Sequence, residues 1–257
     1  MNDMFLNLES RMRAFENNVG ATIPDGNYVV VRIDGKGFSK LTRQKFNKPY
    51  DERFQDIMVE VTKFVMEKSG FKINYAYTQS DEISFLFSVN EKTYNKKVRK
   101  INSLMASYAS ARFSLMIGEP VVFDSRVIAL PTERDLLDYF NWRQQDAQRN
   151  AINNYCYWTL RDKNELSPRT AQKELDKKSF KEKVELLSKY HIDYDKVPLV
   201  AKNGVGFYYI SVEKVGFNPI TRVVMPVYRN KLIVDKNLGD KEVYKHFVKQ
   251  FVNKDNN

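Results

Sequence analysis

The stretch "INYAYTQSDEISFLFSV", Ile73 to Val89, decides the fold. Two β-branched and aromatic runs flank Gln79-Ser80-Asp81-Glu82, the polar break expected of a hairpin turn. Upstream, Phe54, Ile57, Val61, Phe64 and Val65 recur at helical spacing between Asp51 and Ser69, and Gly70 stops the run. Ahead of that helix, Tyr28 to Ile33 reads as a short buried strand, ended by Asp34, Gly35 and Gly37. Downstream, a helix is predicted over roughly Asn95 to Ile117 and is broken by Gly118-Glu119-Pro120. Its small residues Ala106, Ser107, Ala109 and Ser110 allow close packing, within the chain or between copies. "VVFDSRVIALP" then supplies a further strand, ended by Pro131.

The order is strand, helix, strand, strand, helix, strand. That is the split β-α-β of a ferredoxin-like α+β fold, an antiparallel sheet with both helices on one face. The fold by itself says little about function. Beyond Pro131 a long helical pattern, cappable by Thr132, runs through "DLLDYFNWRQQDAQRNAINNYCYWTLRDK", and "SPRTAQKELDKKSFKEKVELLSKY" reads as two shorter helices. "VPLVAKNGVGFYYISV" resembles a hairpin turning at Asn203-Gly204, and "ITRVVMPVYRNKLIV" adds two more β segments. Asn253 to Asn257 reads as a frayed tail. With no linker in view, the expectation is one unit over 1–257: a core at about 27–131 and a helical and hairpin extension at about 132–257 packed on it.

Composition narrows the classes. Hydrophobic residues at 42% and charged residues at 29% suit a soluble globular chain. No run of about eighteen apolar residues suggests a membrane span, and the N-terminus carries no signal-peptide apolar region. The single Cys156 excludes an internal disulfide framework, and two histidines, His191 and His246, do not suggest a zinc site. The cytoplasm is the default compartment. The net charge of +10 suits a polyanionic partner, because each neutralised phosphate releases counterions.

In a ferredoxin-like sheet the first and third strands lie side by side and antiparallel. Asp34 at the end of one and Asp81-Glu82 at the start of the other should therefore meet at one edge. Asp34 alone is readable as a strand-ending turn residue, and Asp81-Glu82 alone as a solvated turn. Together they repel unless a cation sits between them, and Mg²⁺ is the economical candidate, since it takes one or two carboxylates plus phosphate oxygens and water. Two such ions can clamp the attacking and leaving oxygens of a phosphoryl displacement. Gly35 and Gly37 let the backbone approach an ion or a phosphate closely. "DGKG" is not a Walker loop, since GxxxxGK[ST] is absent. Lys97 and Lys100, one turn apart near a helix start, can hold an anion or simply face water. Lys48 lies extended before Pro49, and Asp51 is a candidate cap for the helix after it.

The residues "VVVRIDGKGF", "NKPYDERF", "YTQSDEISFLF", "FDSRV" and "YFNWRQQDAQRNAINNYCYW" resemble, in order, the motifs of the tRNA-histidine guanylyltransferase family and its guanylyltransferase-like relatives. The resemblance implies a polymerase palm working in the 3′-to-5′ direction. A tRNA 5′ end is activated with ATP or GTP, and the 3′-hydroxyl of an incoming NTP attacks the activated phosphate, with two Mg²⁺ ions serving both steps. It implies Asp34 and Asp81 as metal-binding carboxylates, the Gly35 carbonyl as a further ligand, and Glu82 as a supporting acid. Gly35, Lys36, Gly37, Phe38, Ser39, Ser80, Lys97 and Lys100 would hold the triphosphate. Arg32, Lys48 and Asp51 fall where the family has residues important for 5′ activation. The resemblance also implies a homotetramer.

Two departures point to the guanylyltransferase-like branch, whose members repair truncated tRNA 5′ ends against the opposite strand. Gln148, Arg149, Asn150 and Ala151 stand where the histidine enzymes carry His-Ile-Asn-Asn, and Ser39 replaces a histidine after the glycine loop. Asn150 and Asn154 are kept. Arg143, Gln144, Gln148, Arg149, Asn150 and Asn154 are candidate tRNA contacts, or simply a polar helix face. A true tRNA-histidine guanylyltransferase is the nearest alternative; an RNA-binding module and a palm-type nucleotide cyclase are the alternatives from other classes. Arg126 matches a family arginine whose contact the spacing leaves open.

Overall fold

The computed structural model describes residues 10–12, 20–163, 165–217, 220 and 222–254. Strand β1 (Tyr28–Gly35) is followed by helices α1 (Phe38–Lys45) and α2 (Glu52–Lys68), then by the hairpin of β2 (Ile73–Gln79) and β3 (Glu82–Phe87). Helix α3 (Val98–Ile117), preceded by a 3₁₀ turn at Thr93–Lys96, leads into β4 (Phe123–Leu130). The remainder is α4 (Glu133–Lys163), α5 (Pro168–Leu175), α6 (Phe180–Lys189), the short α7 (Leu199–Asn203), the long strands β5 (Val205–Phe217) and β6 (Val224–Asp235), and α8 (Lys241–Lys249). The sheet order is β4-β1-β3-β2-β5-β6, with every neighbouring pair antiparallel. Its first four strands have the expected ferredoxin-like arrangement.

Alternation along each strand sends side chains to opposite faces. Val31, Ile33, Ala76, Ile83 and Phe85 face α2 and α3, packing on Met58, Val61, Val65, Ile101, Met105 and Phe113. Val30, Tyr75, Tyr77 and Leu86 face the other way, against Leu136 and Phe140 of α4 and Tyr244 and Val248 of α8. The two core helices thus share one face, as the order predicts, and the C-terminal elements cover the other. Covering is demanded by chemistry: Tyr75 and Tyr77 are 0% and 2% exposed, and Tyr75 satisfies its hydroxyl on the Tyr244 hydroxyl at 3.1 Å. An RNA-recognition sheet needs its aromatics open to bases. Here that face is inside the protein, which removes the RNA-binding module in that form.

Of the small residues of α3, Ala109 and Ser110 turn toward the sheet while Ser107 is exposed. Ala109 is buried, and the Ser110 hydroxyl accepts the Phe123 N–H at 2.9 Å, drawing β4 onto the helix. Thr132 caps α4 as expected, its hydroxyl accepting the Asp135 N–H at 3.1 Å. Asn203-Gly204 differs from expectation. It ends α7 rather than turning a hairpin, and Gly204 at φ 73° and ψ −165° is the helix terminator. Asn-Gly signals positive φ, which a helix end uses as readily as a hairpin. Where two β segments were expected, Val224–Asp235 forms one strand, β6, paired along β5 from Phe217↔Val224 to Gly206↔Asp235. The expected frayed tail lies outside the described residues from 255 onward.

Candidate active site

Asp34 pairs in register with Glu82 across β1 and β3, and Ser80-Asp81 forms the two-residue tip between β2 and β3. The Gly35 N–H donates to the Asp81 carbonyl at 3.1 Å, tying the end of β1 to that tip. Asp81 is largely buried, and this burial, then the charge of Asp34, raises its carboxyl above the ordinary aspartate range. The expected convergence of the two carboxylates is therefore present. Its opposing cation is Lys48, which donates to the Thr42 hydroxyl at 2.7 Å. Burial depresses the Lys48 ammonium, while Asp81 and Asp51 pull it back up.

The glycine loop is shaped by the core beneath it. A Cβ on Gly35 would lie 2.2 Å from the Phe38 ring, which is fixed among Phe54, Phe113 and Phe123. Phe38 offers a ligand only its backbone, since its side chain is 2% exposed. Gly37 enters α1 at φ 78° and leaves first-turn N–H groups without helical partners, next to exposed Lys36 and Ser39. We expect Gly35→Ala to lose about 1–3 kcal/mol of stability by overpacking, read as a lowered urea midpoint, and to lose activity beyond what the unfolded fraction explains. An unchanged midpoint would show that Phe38 moves aside.

Two chambers meet at this edge, sharing Thr42, Lys48, Ser80 and Asn154. One runs past Phe38, Ser39, Arg43 and Asp81 to Tyr157 and Trp158 of α4. The other lies among Phe46, Asn47, Tyr50, Asp51, Gln79 and Tyr155. Asp51 caps α2 as expected and is fully engaged, accepting the Asn47 N–H at 2.7 Å, the Arg53 N–H at 2.9 Å and the Arg53 guanidinium at 2.7 Å. Its side chain shapes the chamber. Arg43, Tyr157 and Trp158 were not singled out by sequence. Arg43 lies one helical turn beyond Ser39, a spacing that could have found it.

Glu82 turns from the acids to the arginines. Arg143 holds it at two points, Nε to Oε1 and Nη2 to Oε2, both at 2.7 Å, and Arg32 Nη1 stands 3.6 Å from Oε2. Burial still lifts its carboxyl against the pull of these guanidinium groups. Glu82 is therefore engaged by two guanidinium groups at the strand end. Arg32 Nε has no partner among the described residues.

Several expected ligand contacts are not where the sequence suggested. Lys97 sits at the start of α3, bridged to Thr22, while Gly118 at its far end lies toward the Lys36 loop, whose N–H meets Val122. A 20-residue helix spans about 30 Å. Lys97 and Lys100 are thus at the opposite edge of the sheet, and within one chain they do not reach a triphosphate beside Asp34. Of the candidate tRNA contacts, Arg143 is committed to Glu82. Gln144 is 1% exposed and donates to the Gly239 carbonyl at 2.8 Å, and Gln148 donates to Asn203 Oδ1 at 2.9 Å. Arg149, Asn150 and Asn154 remain exposed.

The sequence and the fold both have known counterparts. The family model described as Thg1, tRNAHis guanylyltransferase, matches residues 9–131, and the one described as the Thg1 C-terminal domain matches residues 134–246. The probable tRNA(His) guanylyltransferase of Mus musculus is 32% identical over 199 residues, 73% of this chain and 66% of the relative. The chain thus spans just under two thirds of that mouse protein. The probable tRNA(His) guanylyltransferase of Dictyostelium discoideum is 33% identical over 188 residues, 69% of this chain and 73% of the relative. Among solved structures, a bacterial Thg1-like protein in complex with ATP superposes with a TM-score of 0.73 at 25% identity, covering 95% of this chain and 98% of that one. Its complex with GTP gives 0.70 at 26%, with the same coverage. With both halves matched in order and the carboxylate edge intact, the chain belongs to the tRNAHis guanylyltransferase family.

Proposed function

We propose that the chain is a template-dependent 3′–5′ nucleotidyltransferase that activates a tRNA 5′ end with ATP or GTP and adds nucleotides to it, as in 5′-end repair. The observation that carries this reading is the pair Asp34 and Asp81, held at one palm edge by the Gly35–Asp81 backbone bond. The donor set suits Mg²⁺: two carboxylates, one of them raised by desolvation first and by its neighbour's charge second, beside a glycine backbone. Bound there, two such ions would supply charge stabilisation for an in-line phosphoryl displacement. The chain's own part is positioning. Ser39, Arg43, Lys48 and Ser80 line the chamber beside Asp81 and fit a triphosphate, and the neighbouring chamber of Asn47, Tyr50 and Tyr155 fits a base. The ATP and GTP complexes of the bacterial relative support nucleotide substrates.

A second reading, addition of the extra 5′ guanylate to histidine tRNA, is favoured by the names of the relatives. A homotetramer remains our expectation. The long β5–β6 ribbon, with Val215 and Phe217 at 84% and 62% exposed, is the surface that supports it. The deciding assay uses a tRNA transcript lacking its first 5′ nucleotide, with a 5′ monophosphate, ATP, Mg²⁺ and all four NTPs, while the base opposite the gap is varied. Extension that follows the opposing base establishes templated repair. Addition of G alone, and only to histidine tRNA, establishes the second reading. NTP consumption without labelled RNA would leave a cyclase.

A further inference from the structure

Trp142 is 49% exposed on α4, a helix whose Leu136, Phe140, Ala147, Ala151 and Ile152 are buried. Two neighbours pack against the ring. The Arg143 guanidinium lies 4.6 Å from the ring centroid, and Tyr139 meets it edge-on at 5.9 Å and 69°. Arg143 is in turn fixed to Glu82, which is register-paired with Asp34. One side-chain ion pair therefore separates the exposed indole from the catalytic strand.

We propose that Trp142 is a stacking platform for the terminal nucleobase at the 5′ end of the RNA substrate. The inference rests on the nucleotidyltransferase reading and names where the end of the RNA stands while its phosphate is at Asp34 and Asp81. An aromatic face beside guanidinium groups is the chemistry that receives a nucleobase, because stacking accepts any base and the cations attract its phosphates. Arg126 pairs in register with Arg32 across β4 and β1, two residues from the Asp34↔Asp124 pair, and is 53% exposed. It partly neutralises Asp124 at 3.8 Å. Arg149 is 64% exposed two turns further along α4. Gln145, one turn further along the helix, is polar and exposed, so the ring does not form part of a broad apolar patch suited to a protein partner.

The chain holds two tryptophans, Trp142 and Trp158. Full-length protein carrying Trp158→Phe isolates the Trp142 emission. The probe is an RNA hairpin with a 5′ monophosphate recessed by one nucleotide. We expect the hairpin to quench Trp142 and an NTP alone to leave it bright. Trp142→Ala should raise the KM for RNA about 5- to 150-fold, the range of a lost base–aromatic stack. It should leave the KM for the NTP in place, and Trp142→Phe should restore most of the affinity. Wild-type extension with no quenching and an unmoved RNA KM in Trp142→Ala overturns the platform alone. Quenching by the hairpin without any extension supports the platform and removes the nucleotidyltransferase reading. Neither quenching nor extension removes both.

Discussion

Alanine at Asp34 or Asp81 is expected to eliminate 5′ extension, by about 10³-fold or more, in a protein that stays folded. The magnitude follows from losing half of the carboxylate set at the reacting phosphate: several kcal/mol of charge stabilisation, at about 1.4 kcal/mol per tenfold. Asp81 also works against the fold. Asp81 carries a raised carboxyl, from burial first and from Asp34 second. A carboxyl whose folded value lies above its unfolded one binds more protons when folded, so its share of stability falls as pH rises between the two values. Asp81→Asn removes that penalty. The expected result at neutral pH without added metal is a melting temperature above wild type, with the gap closing as pH falls toward the ordinary aspartate range. Added Mg²⁺ should stabilise wild type and do little for the variant. A variant that melts below wild type at neutral pH, or that still extends RNA, contradicts this account.

Arg143→Ala carries the second large effect, and it bears on stability before catalysis. The pair with Glu82 is bidentate, with side chains 11% and 15% exposed. Removing one partner of a buried pair costs about 3–5 kcal/mol, because the remaining charge is stranded. Arg32 at 3.6 Å from Glu82 softens that loss, so about 2–4 kcal/mol is expected, read from the urea midpoint. The deficit should be largest at neutral pH and shrink as pH falls through the raised value of the stranded carboxyl, which then takes up a proton. Glu82→Gln combined with Arg143→Met should recover only part of the loss, since Arg32 then lacks its carboxylate partner. A midpoint shift worth under about 0.5 kcal/mol would make the pair equivalent to a surface contact.

The carboxylate edge was legible because it needs only local facts: where a β-branched run stops and where a hairpin turns. Sheet order then brings Asp34 and Asp81 together. The same topology also fixes the direction of α3, whose start lies at the far edge. Lys97 and Lys100 were placed by the affinity of helix starts for anions, with no account of which way that helix runs. Gln144 and Gln148 were opaque for another reason. Their partners are the Gly239 carbonyl and the Asn203 side chain, distant in sequence, and a glutamine that satisfies a buried backbone looks like one that faces water. Asn203-Gly204 failed because one dipeptide serves two kinds of reversal. Arg143 was named as a contact for RNA, and its actual partner, Glu82, was named for the metal edge; only the long helix crossing the sheet joins them.

That crossing helix restricts how such proteins can be recombined. Tyr75 and Tyr77 lie in the strand leading to the catalytic turn, yet Phe140, Tyr244 and Phe251 are what keep them dry. A palm grafted from this chain onto a foreign partner, cut at Pro131, would bring an aromatic face shaped for these particular rings. Chimeras should therefore exchange the palm with α4, α8 and the first half of β5 as one inherited block, because Val205 and Phe207 lie in the palm's own core and β5 pairs with β2. The outer end of the β5–β6 ribbon, where Val215 and Phe217 are exposed, is the part free to be shuffled.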